Sequence, residues 1–291
     1  MVVDDTEPLD DDYEEQGDQY EVATLIRRMT SIQDPVMRRR QLQRHVISVD
    51  APVFASHLSH IVVHAVRGNA MAAELLMSVC EYIHQAQGRD LLALEAVNLA
   101  ARADGHLALG WMLLKPEPVR TVERLVHRQI GRPMTLGERK SMASGWDHSR
   151  LERLLVDTDV AVIERLCRNP RLLEQHVLLL ASRRPTLPEL LHVVAREPRW
   201  MRRATVREAL VQNPYACTGM ALCLLPTIPV PALERLQFAN EFHPAIRDFS
   251  RYLLQLRRGN PEFIQIPDYS DFKPQRVGPD IEKAWRTYGK G

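Results

Sequence analysis

The sequence contains one phrase twice, and each copy has an Asn-Pro dipeptide at the same position. Residues 160–185 align without a gap on residues 204–229, with eight identical positions. Proline keeps the residue before it out of the α conformation, so each dipeptide predicts the end of a helix. Asparagine is a good N-cap and proline suits the first helical position, so we expect the next helix to start there. The two dipeptides are therefore predicted to be joints between short helices.

The apolar residues around these joints recur at helical spacing. Ile163 and Leu166 share one predicted helix face, and Leu173 and Val177 share the next. From residue 135 to 257 the pattern predicts helices of about 9–14 residues with no convincing strand between them. A 44-residue period of helix pairs is typical of an α-solenoid, in which each unit buries its apolar face against its neighbours. We therefore predict an all-α fold and a solenoid of short helix pairs. An irregular bundle with a coincidental repeat is the alternative.

Capping signals and apolar periodicity extend the helical prediction over the rest of the body. Three capping boxes are predicted, at Thr135 with Glu138, Ser149 with Glu152, and Thr186 with Glu189. The N-terminal half is predicted to be helical over residues 53–66, 70–87, 90–103 and 106–114. This half shows no clear repeat, so it is predicted to be either degenerate solenoid or a capping bundle.

Composition divides the chain into four segments. Residues 1–19 are predicted to be a disordered acidic leader and residues 20–134 an N-terminal helical subdomain. The solenoid follows over residues 135–257. Residues 258–291 are rich in Pro and Gly and are predicted to be an extended arm with a short helix near residues 281–288. We expect the spaced aromatic residues of this arm to pack on the body of the protein, and the docking of a partner is the alternative.

The charge is distributed unevenly. The whole chain has a net charge of +1, but residues 1–20 hold nine carboxylates and no Lys or Arg. The remaining residues, 21–291, hold 38 basic and 28 acidic side chains, a net charge of +10. Two interpretations are open. The leader is a solvated tail, or it lies on a basic face of the body and competes there with an acidic partner.

The chain has the features of a cytoplasmic protein. The four cysteines are sparse and form no C-x-x-C pair: Cys80, Cys167, Cys217 and Cys223. This spacing favours neither a disulfide framework nor a zinc module, and it suits a reducing cytosol. The N-terminus lacks the basic and apolar regions of a secretory signal, and no apolar run is long enough for a membrane span.

The repeat resembles the bacterial leucine-rich-repeat-variant and HEAT-like helical repeats. In these families a "D-x-D-x-x-V" helix is followed by Asn-Pro and a Leu-rich helix. The matching residues are Asp157, Asp159, Val162, Leu166, Asn169 and Pro170, then Val206, Leu210, Asn213 and Pro214. The resemblance covers about residues 150–257 and implies a bacterial HEAT-like scaffold without shared catalytic residues. Some members carry a cysteine cluster for an iron–sulfur centre, but this chain lacks one, so no cofactor is implied.

The sequence contains no recognisable reaction motif. It has no G-x-S-x-G nucleophile turn and no glycine-rich phosphate loop, so no catalytic residue is predicted and a non-enzymatic role is favoured. His57, His60 and His64 lie three and four residues apart on one predicted helix. No Glu stands in the frame that a zinc hydrolase needs, so we predict a surface histidine cluster rather than a metal site.

The candidate partner-binding residues form one arginine-rich cluster: Arg199, Trp200, Arg202, Arg203 and Arg207. The leading prediction is a cytosolic scaffold that binds another protein along a helical face. The sequence does not indicate its oligomeric state. The alternative is a helical-repeat nucleic-acid binder, whose arginines contact phosphates while Trp200 stacks on a base. A base-repair type of enzyme is a more distant third hypothesis.

Overall fold

The computed structural model describes residues 22–122, 125, 133–259, 261 and 265–276. The acidic leader and the helix predicted near residues 281–288 lie outside the described residues. The helices are α1 (22–30), α2 (Pro35–Ser48), α3 (Ala51–Val66), α4 (Ala70–Gln85), α5 (Arg89–Ala103), α6 (Leu107–Met112), α7 (Leu136–Ala143), α8 (His148–Arg153), α9 (Val160–Arg168), α10 (Glu174–Ser182), α11 (Pro188–Arg196), α12 (Pro198–Met201), α13 (Ala204–Val211), α14 (Thr218–Leu224), α15 (Val230–Leu236) and α16 (Pro244–Arg257). Short 3₁₀ turns follow α8 (Leu154–Val156) and α14 (Leu225–Thr227).

The prediction of an all-α fold is confirmed. Among the described residues the strands are limited to β1 (Arg120–Thr121) and β2 (Gln275–Arg276), which pair in parallel. The predicted N-terminal helices agree with α3 to α6 to within about two residues at most of their ends, the usual uncertainty of a helix boundary.

One of the three predicted capping boxes forms. The hydroxyl of Thr135 accepts from Glu138 N at 3.2 Å, and the carboxylate of Glu138 accepts from Thr135 N at 2.7 Å. The other two are wrong. Helix α8 already begins before Ser149, because Asp147 is its N-cap and accepts from Ser149 N. Helix α11 begins at Pro188, whose fixed φ suits the first position of a helix.

The Asn-Pro dipeptides end helices as predicted, but they do not start the next ones. Loops separate Asn169 from α10 and Asn213 from α14. Asn169 instead binds backbone that is distant in sequence. Its Nδ2 donates to Ala143 O and Gly145 O, both at 2.8 Å, at the C-terminal end of α7. Because the last carbonyls of a helix have no partner within it, this amide satisfies groups that would otherwise be orphaned.

Asn213, the equivalent of Asn169 in the second copy of the repeated sequence, makes the same set of hydrogen bonds. Its Nδ2 donates to Ala181 O at 2.8 Å and to Arg183 O at 3.0 Å, at the end of α10. Its Oδ1 accepts from Tyr215 N at 3.0 Å. The two identical asparagines therefore perform one structural task, which is to tie a loop to the end of an earlier helix.

Guanidinium groups bind other helix ends in the same way. Arg257 Nη2 donates to Pro226 O at 3.3 Å, within the 3₁₀ turn after α14, and to Ile228 O at 2.8 Å, just beyond that turn. Arg38 is buried, and its Nη2 donates to Ile32 O at 2.7 Å beyond the end of α1. These carbonyls also lack intrahelical partners, so the arginines have structural roles.

The described helices share one hydrophobic core. Helix α7 packs on α9, α10 on α13, and α14 on α16. Helix α3 packs on α16, α4 packs on α11 and α14, and α6 packs on α14 and α16, so the two halves are joined. Trp111 of α6 stacks on Phe249 of α16, with ring centroids 5.6 Å apart. Large aromatic surfaces of this kind contribute strongly to core stability.

The described part of the C-terminal arm packs on this core. Ile266 is buried against Gly110, where an added Cβ would lie only 2.8 Å from the Ile266 side chain. The hydroxyl of Tyr269 donates to Asp248 of α16 at 2.9 Å. Farther along, β2 pairs with β1, and Gln275 N donates to a backbone carbonyl next to β1 at 2.8 Å.

His243 connects the arm to α16. It is the N-cap of α16, and its Nδ1 accepts from the backbone N–H two residues on at 3.1 Å. The rings of Tyr269 and Phe272 lie 5.3 and 4.1 Å from its centroid, and the side chain is fully buried. Burial, with a smaller contribution from Arg247, lowers the pKa of His243 to about 4, although Asp248 opposes the shift.

This geometry predicts a loss of stability in mild acid. An unfolded histidine binds its proton near pH 6.5, but folded His243 resists protonation until about pH 4, so stability falls as the pH drops between these values. The expected loss from this group is ~2 kcal/mol between pH 7.5 and pH 5. His243→Asn keeps an N-cap acceptor and removes the titration. In urea unfolding at both pH values, the variant should lose less stability than the wild type, and an equal loss would contradict the assignment.

Candidate functional site

Part of the predicted five-residue cluster has a structural role. Trp200 is 2% exposed, and its Nε1 donates to Cys167 O at 2.8 Å. The guanidinium of Arg199 covers its ring at 4.2 Å from the centroid. A base would need an open ring face for stacking, and Trp200 does not offer one.

Two of the predicted arginines bind backbone and neighbouring side chains. Arg199 Nη1 donates to Asn169 O at 3.1 Å, and its Nη2 donates to Leu172 O at 3.0 Å. Arg207 Nε donates to Thr227 Oγ1 at 3.0 Å, and burial lowers the pKa of its guanidinium. Both side chains are therefore engaged in holding loops and helix ends.

The other two arginines remain accessible. Arg203 is exposed, and its Nε lies 3.6 Å from a carboxylate oxygen of Glu174. Arg202 is also exposed and lies near Glu81, whose pKa is raised by burial despite the nearby charges of Arg39 and Arg202. Arg199 is exposed as well, although its Nη atoms donate to backbone carbonyls, so the accessible positive charge of the predicted cluster lies on Arg199, Arg202 and Arg203.

Sequence analysis missed one exposed aromatic residue, Trp146. Trp146 lies in the turn between α7 and α8 and is 74% exposed. The guanidinium carbon of Arg171 lies 4.6 Å from its ring centroid, within range of a cation–π interaction. A tryptophan this exposed leaves a large apolar surface in contact with water.

Asn169 positions both members of this stack. Its Nδ2 binds Gly145 O at 2.8 Å, immediately before Trp146. Its Oδ1 accepts from Arg171 N at 2.8 Å. Since Asn169 itself is 4% exposed, a buried side chain fixes the backbone on both sides of the Trp–Arg pair. The repeated dipeptide therefore organises this surface as well as a helix end.

A shallow cavity of about 380 Å³, open to solvent, lies at the same place. Its lining residues are Ser144, Arg165, Arg168, Asn169 and Pro170. We call this cavity, together with Trp146 and Arg171, the Trp146 surface. It combines a concave region, guanidinium groups and an exposed aromatic ring, which are features of ligand and partner sites.

The Trp146 surface carries unbalanced positive charge. Arg168 is paired, at 2.7 Å with Glu164 and at 2.8 Å with Glu197. Arg165 and Arg171 are exposed, and neither forms an ion pair with any residue that the structure describes. Guanidinium groups bind carboxylates and phosphates through paired N–H donors, so an anionic partner fits this surface.

His57, His60 and His64 lie on α3. Among the described residues, no group of three or more His, Cys, Asp or Glu side chains is arranged to hold a metal ion. The predicted surface cluster is wrong for His57, which is 5% exposed and stacks on His45 with ring nitrogens 3.0 Å apart. His60 is half-buried and His64 is exposed. The described helices also include none that is both long and apolar enough to cross a bilayer.

Comparison with known proteins gave no relative for this chain. No model of a protein family matches it, and neither curated proteins nor solved structures gave a significant match. The resemblance to helical-repeat families accordingly stays a prediction from the sequence.

Proposed function

We propose that residues 135–257 form a HEAT-like α-solenoid and that the chain is a non-enzymatic, cytosolic bacterial scaffold for another protein. The equivalent bonds of Asn169 and Asn213 support the repeat. The packing of α7 on α9, α10 on α13 and α14 on α16 supports three units, of three, four and three helices, rather than helix pairs. In the third unit, Arg257 binds two carbonyls where the first two units use asparagine.

The Trp146 surface is the proposed contact with the partner. Tryptophan and arginine dominate the energetics of many protein interfaces, because they bury much area and also make directed polar contacts. Here Trp146 offers an exposed ring, while Arg165 and Arg171 offer charges without carboxylate partners among the described residues. The chemistry fits an acidic segment of a partner that also carries an apolar side chain. The single observation that carries this proposal is the exposed Trp146–Arg171 stack.

Binding of single-stranded nucleic acid is the second candidate. The exposed ring of Trp146 replaces the buried Trp200 as a base-stacking group, and nearby arginines could contact phosphates. This candidate requires an affinity that falls steeply with salt, because phosphate contacts release counterions. Titration of labelled DNA and RNA oligonucleotides at about 50 and 200 mM salt tests it. No binding at low salt, or a flat response, removes it.

The protein-scaffold proposal predicts a selective loss of partners. In affinity purification with quantitative mass spectrometry, proteins that contact the Trp146 surface should be recovered with the wild type and lost with the double variant Trp146→Ala, Arg171→Gln. For such a partner, Trp146→Ala alone is expected to weaken binding by about 30-fold, which corresponds to ~2 kcal/mol.

Arg251→Gln is the matched control, because Arg251 is an exposed arginine on α16 with a loose ion pair to Asp248 at 3.5 Å. It should keep the partners that the double variant loses. Nuclease treatment before purification distinguishes direct protein contacts from those bridged by nucleic acid. Equal recovery of every protein with the wild type and the double variant would refute the assignment of this surface.

A further inference from the structure

Helix α5 presents an apolar face to solvent. Leu92 is 66% exposed and Leu99 is 74% exposed, and Ala96 and Ala103 are exposed as well. These four residues are spaced by four, three and four positions, so they form one stripe along the helix. The opposite side of α5, with Val97 among its residues, is buried against the core. The stripe is thus additional to the face that holds α5 in the fold.

We propose that a second copy of this chain covers the stripe, with the two α5 helices antiparallel. If the two-fold axis passes between residues 97 and 98, Leu92 lies against Ala103 of the partner subunit and Ala96 lies against Leu99 of the partner subunit. A large side chain then meets a small one at each level, so the helices approach closely with their apolar surfaces interlocked. The stripe is complementary to itself in this arrangement.

The charges beside the stripe select the antiparallel orientation. Glu95 and Arg102 project from the same flank of α5, because seven residues are close to two helical turns. A two-fold axis perpendicular to the helices brings this flank of both copies to one side. Glu95 then lies about 3 Å along the helix axis from the level of Arg102 of the partner subunit, and symmetry repeats the pair. A parallel pair would place these flanks on opposite sides.

Within one copy, Glu95 and Arg102 make only weak ionic contacts, which contacts across the dimer interface can replace. Glu95 lies 3.6 Å from Lys115, and both side chains are 57% exposed. Exposed ion pairs of this kind contribute little to stability. Arg102 is exposed and lies near the carboxylate of Asp268, whose low pKa is caused mainly by hydrogen bonds from Ser270 and only slightly by Arg102.

The size of the contact sets the expected affinity. A single helix from each copy gives a small interface, at the low end of the area that specific complexes bury. We therefore expect a reversible dimer with a dissociation constant in the micromolar range. The proposal is independent of the Trp146 surface, which lies on α9 and the turn after α7.

Sedimentation equilibrium of the full chain between about 1 and 200 μM gives the first test. The wild type should pass from monomer to dimer over this range. Leu99→Glu places a charge in the stripe and should weaken the dimer at least tenfold. Leu179→Glu is the matched control, because Leu179 of α10 is also exposed, at 59%, and it should dimerise as the wild type does. A wild type that stays monomeric at 200 μM overturns the proposal, as does an unaffected Leu99→Glu variant.

A mixing experiment tests the orientation. Glu95→Arg and Arg102→Glu should each weaken the homodimer about tenfold, because each brings like charges together. An equimolar mixture should dimerise as well as the wild type. One variant then carries two positive charges on this flank and the other carries two negative charges, so opposite charges meet at both positions. Recovery in the mixture also shows that both variants are folded. If the mixture associates no better than the separate variants, the antiparallel arrangement is refuted.

Discussion

Replacing Asp157 with alanine is expected to lower the free energy of unfolding by about 3–5 kcal/mol. Asp157 is fully buried, and Arg139 Nη1 donates to its Oδ2 at 2.6 Å. Its Oδ1 also accepts from Asp159 N at 2.9 Å, at the start of α9. Loss of the carboxylate leaves a backbone N–H without its acceptor and leaves the guanidinium, whose side chain is only 15% exposed, without its counter-charge. An unpaired buried charge costs more than the pair contributes, so the effect should be large.

Urea unfolding of four variants separates the contribution of the ion pair to stability from that of the hydrogen bond to Asp159 N. Asp157→Ala should show the full loss, and Asp157→Asn a smaller one, because its amide oxygen still accepts from Asp159 N. The double variant Arg139→Leu, Asp157→Leu should lose less than either single charge removal, since the Arg139 guanidinium is removed together with its counter-charge. Arg251→Ala removes an exposed ion pair and should change stability by less than about 0.5 kcal/mol. If Asp157→Ala lies within 1 kcal/mol of the wild type, the pair is not structural.

Local signals predict the helices of this fold better than the individual caps, since one of the three predicted capping boxes forms. Asp34, Asn69 and Thr135 each accept from a backbone N–H two or three residues away. Such caps depend on neighbouring residues, and helices are indicated by the spacing of their apolar residues. Both signals can therefore be recognised in the sequence. The predicted ends of α3 and α4 agree with the structure for the same reason.

Interactions between distant residues account for the errors at the two asparagines. Asn169 and Asn213 were predicted to cap the next helix, but their amides bind carbonyls 24 to 32 residues earlier in the chain. Nothing in the local pattern distinguishes an N-cap asparagine from one that binds another helix end. The repeat was a sound indication that both residues share a role, and the structure identifies what that role is.

The two tryptophans show the same limit for the candidate site. Trp200 stands among arginines in the sequence, which favoured a surface role, but the donor in its ring reaches Cys167 O in the core. Trp146 stands between Gly145 and the helix-capping Asp147, a context typical of an exposed turn. That signal was present in the sequence. The stack with Arg171 was not, because it depends on the distant bonds of Asn169.

Replacing Asn213 with alanine is expected to lower the free energy of unfolding by about 3 kcal/mol. The change removes three hydrogen bonds at a residue that is 2% exposed. Ala181 O and Arg183 O lose their donor, and Tyr215 N loses its acceptor. The cost of an unsatisfied buried polar group is about 1–3 kcal/mol, and the loop gains no compensating contact. Asn169→Ala should behave alike and should also weaken binding at the Trp146 surface, which Asn213→Ala should leave unchanged.

Aspartate at the same position discriminates between the local and the distant role. Asn213→Asp keeps the oxygen that accepts from Tyr215 N, so a residue that acts only within its own turn would tolerate the change with a loss below about 1 kcal/mol. A residue that donates to two carbonyls would not, because the carboxylate has no N–H and would face two carbonyl oxygens in a buried site. We expect Asn213→Asp to be at least as destabilising as Asn213→Ala in urea unfolding at pH 7. Wild-type stability in the aspartate variant would mean that the bonds to α10 contribute nothing, and the structural case for a repeat based on these asparagines would fail with them.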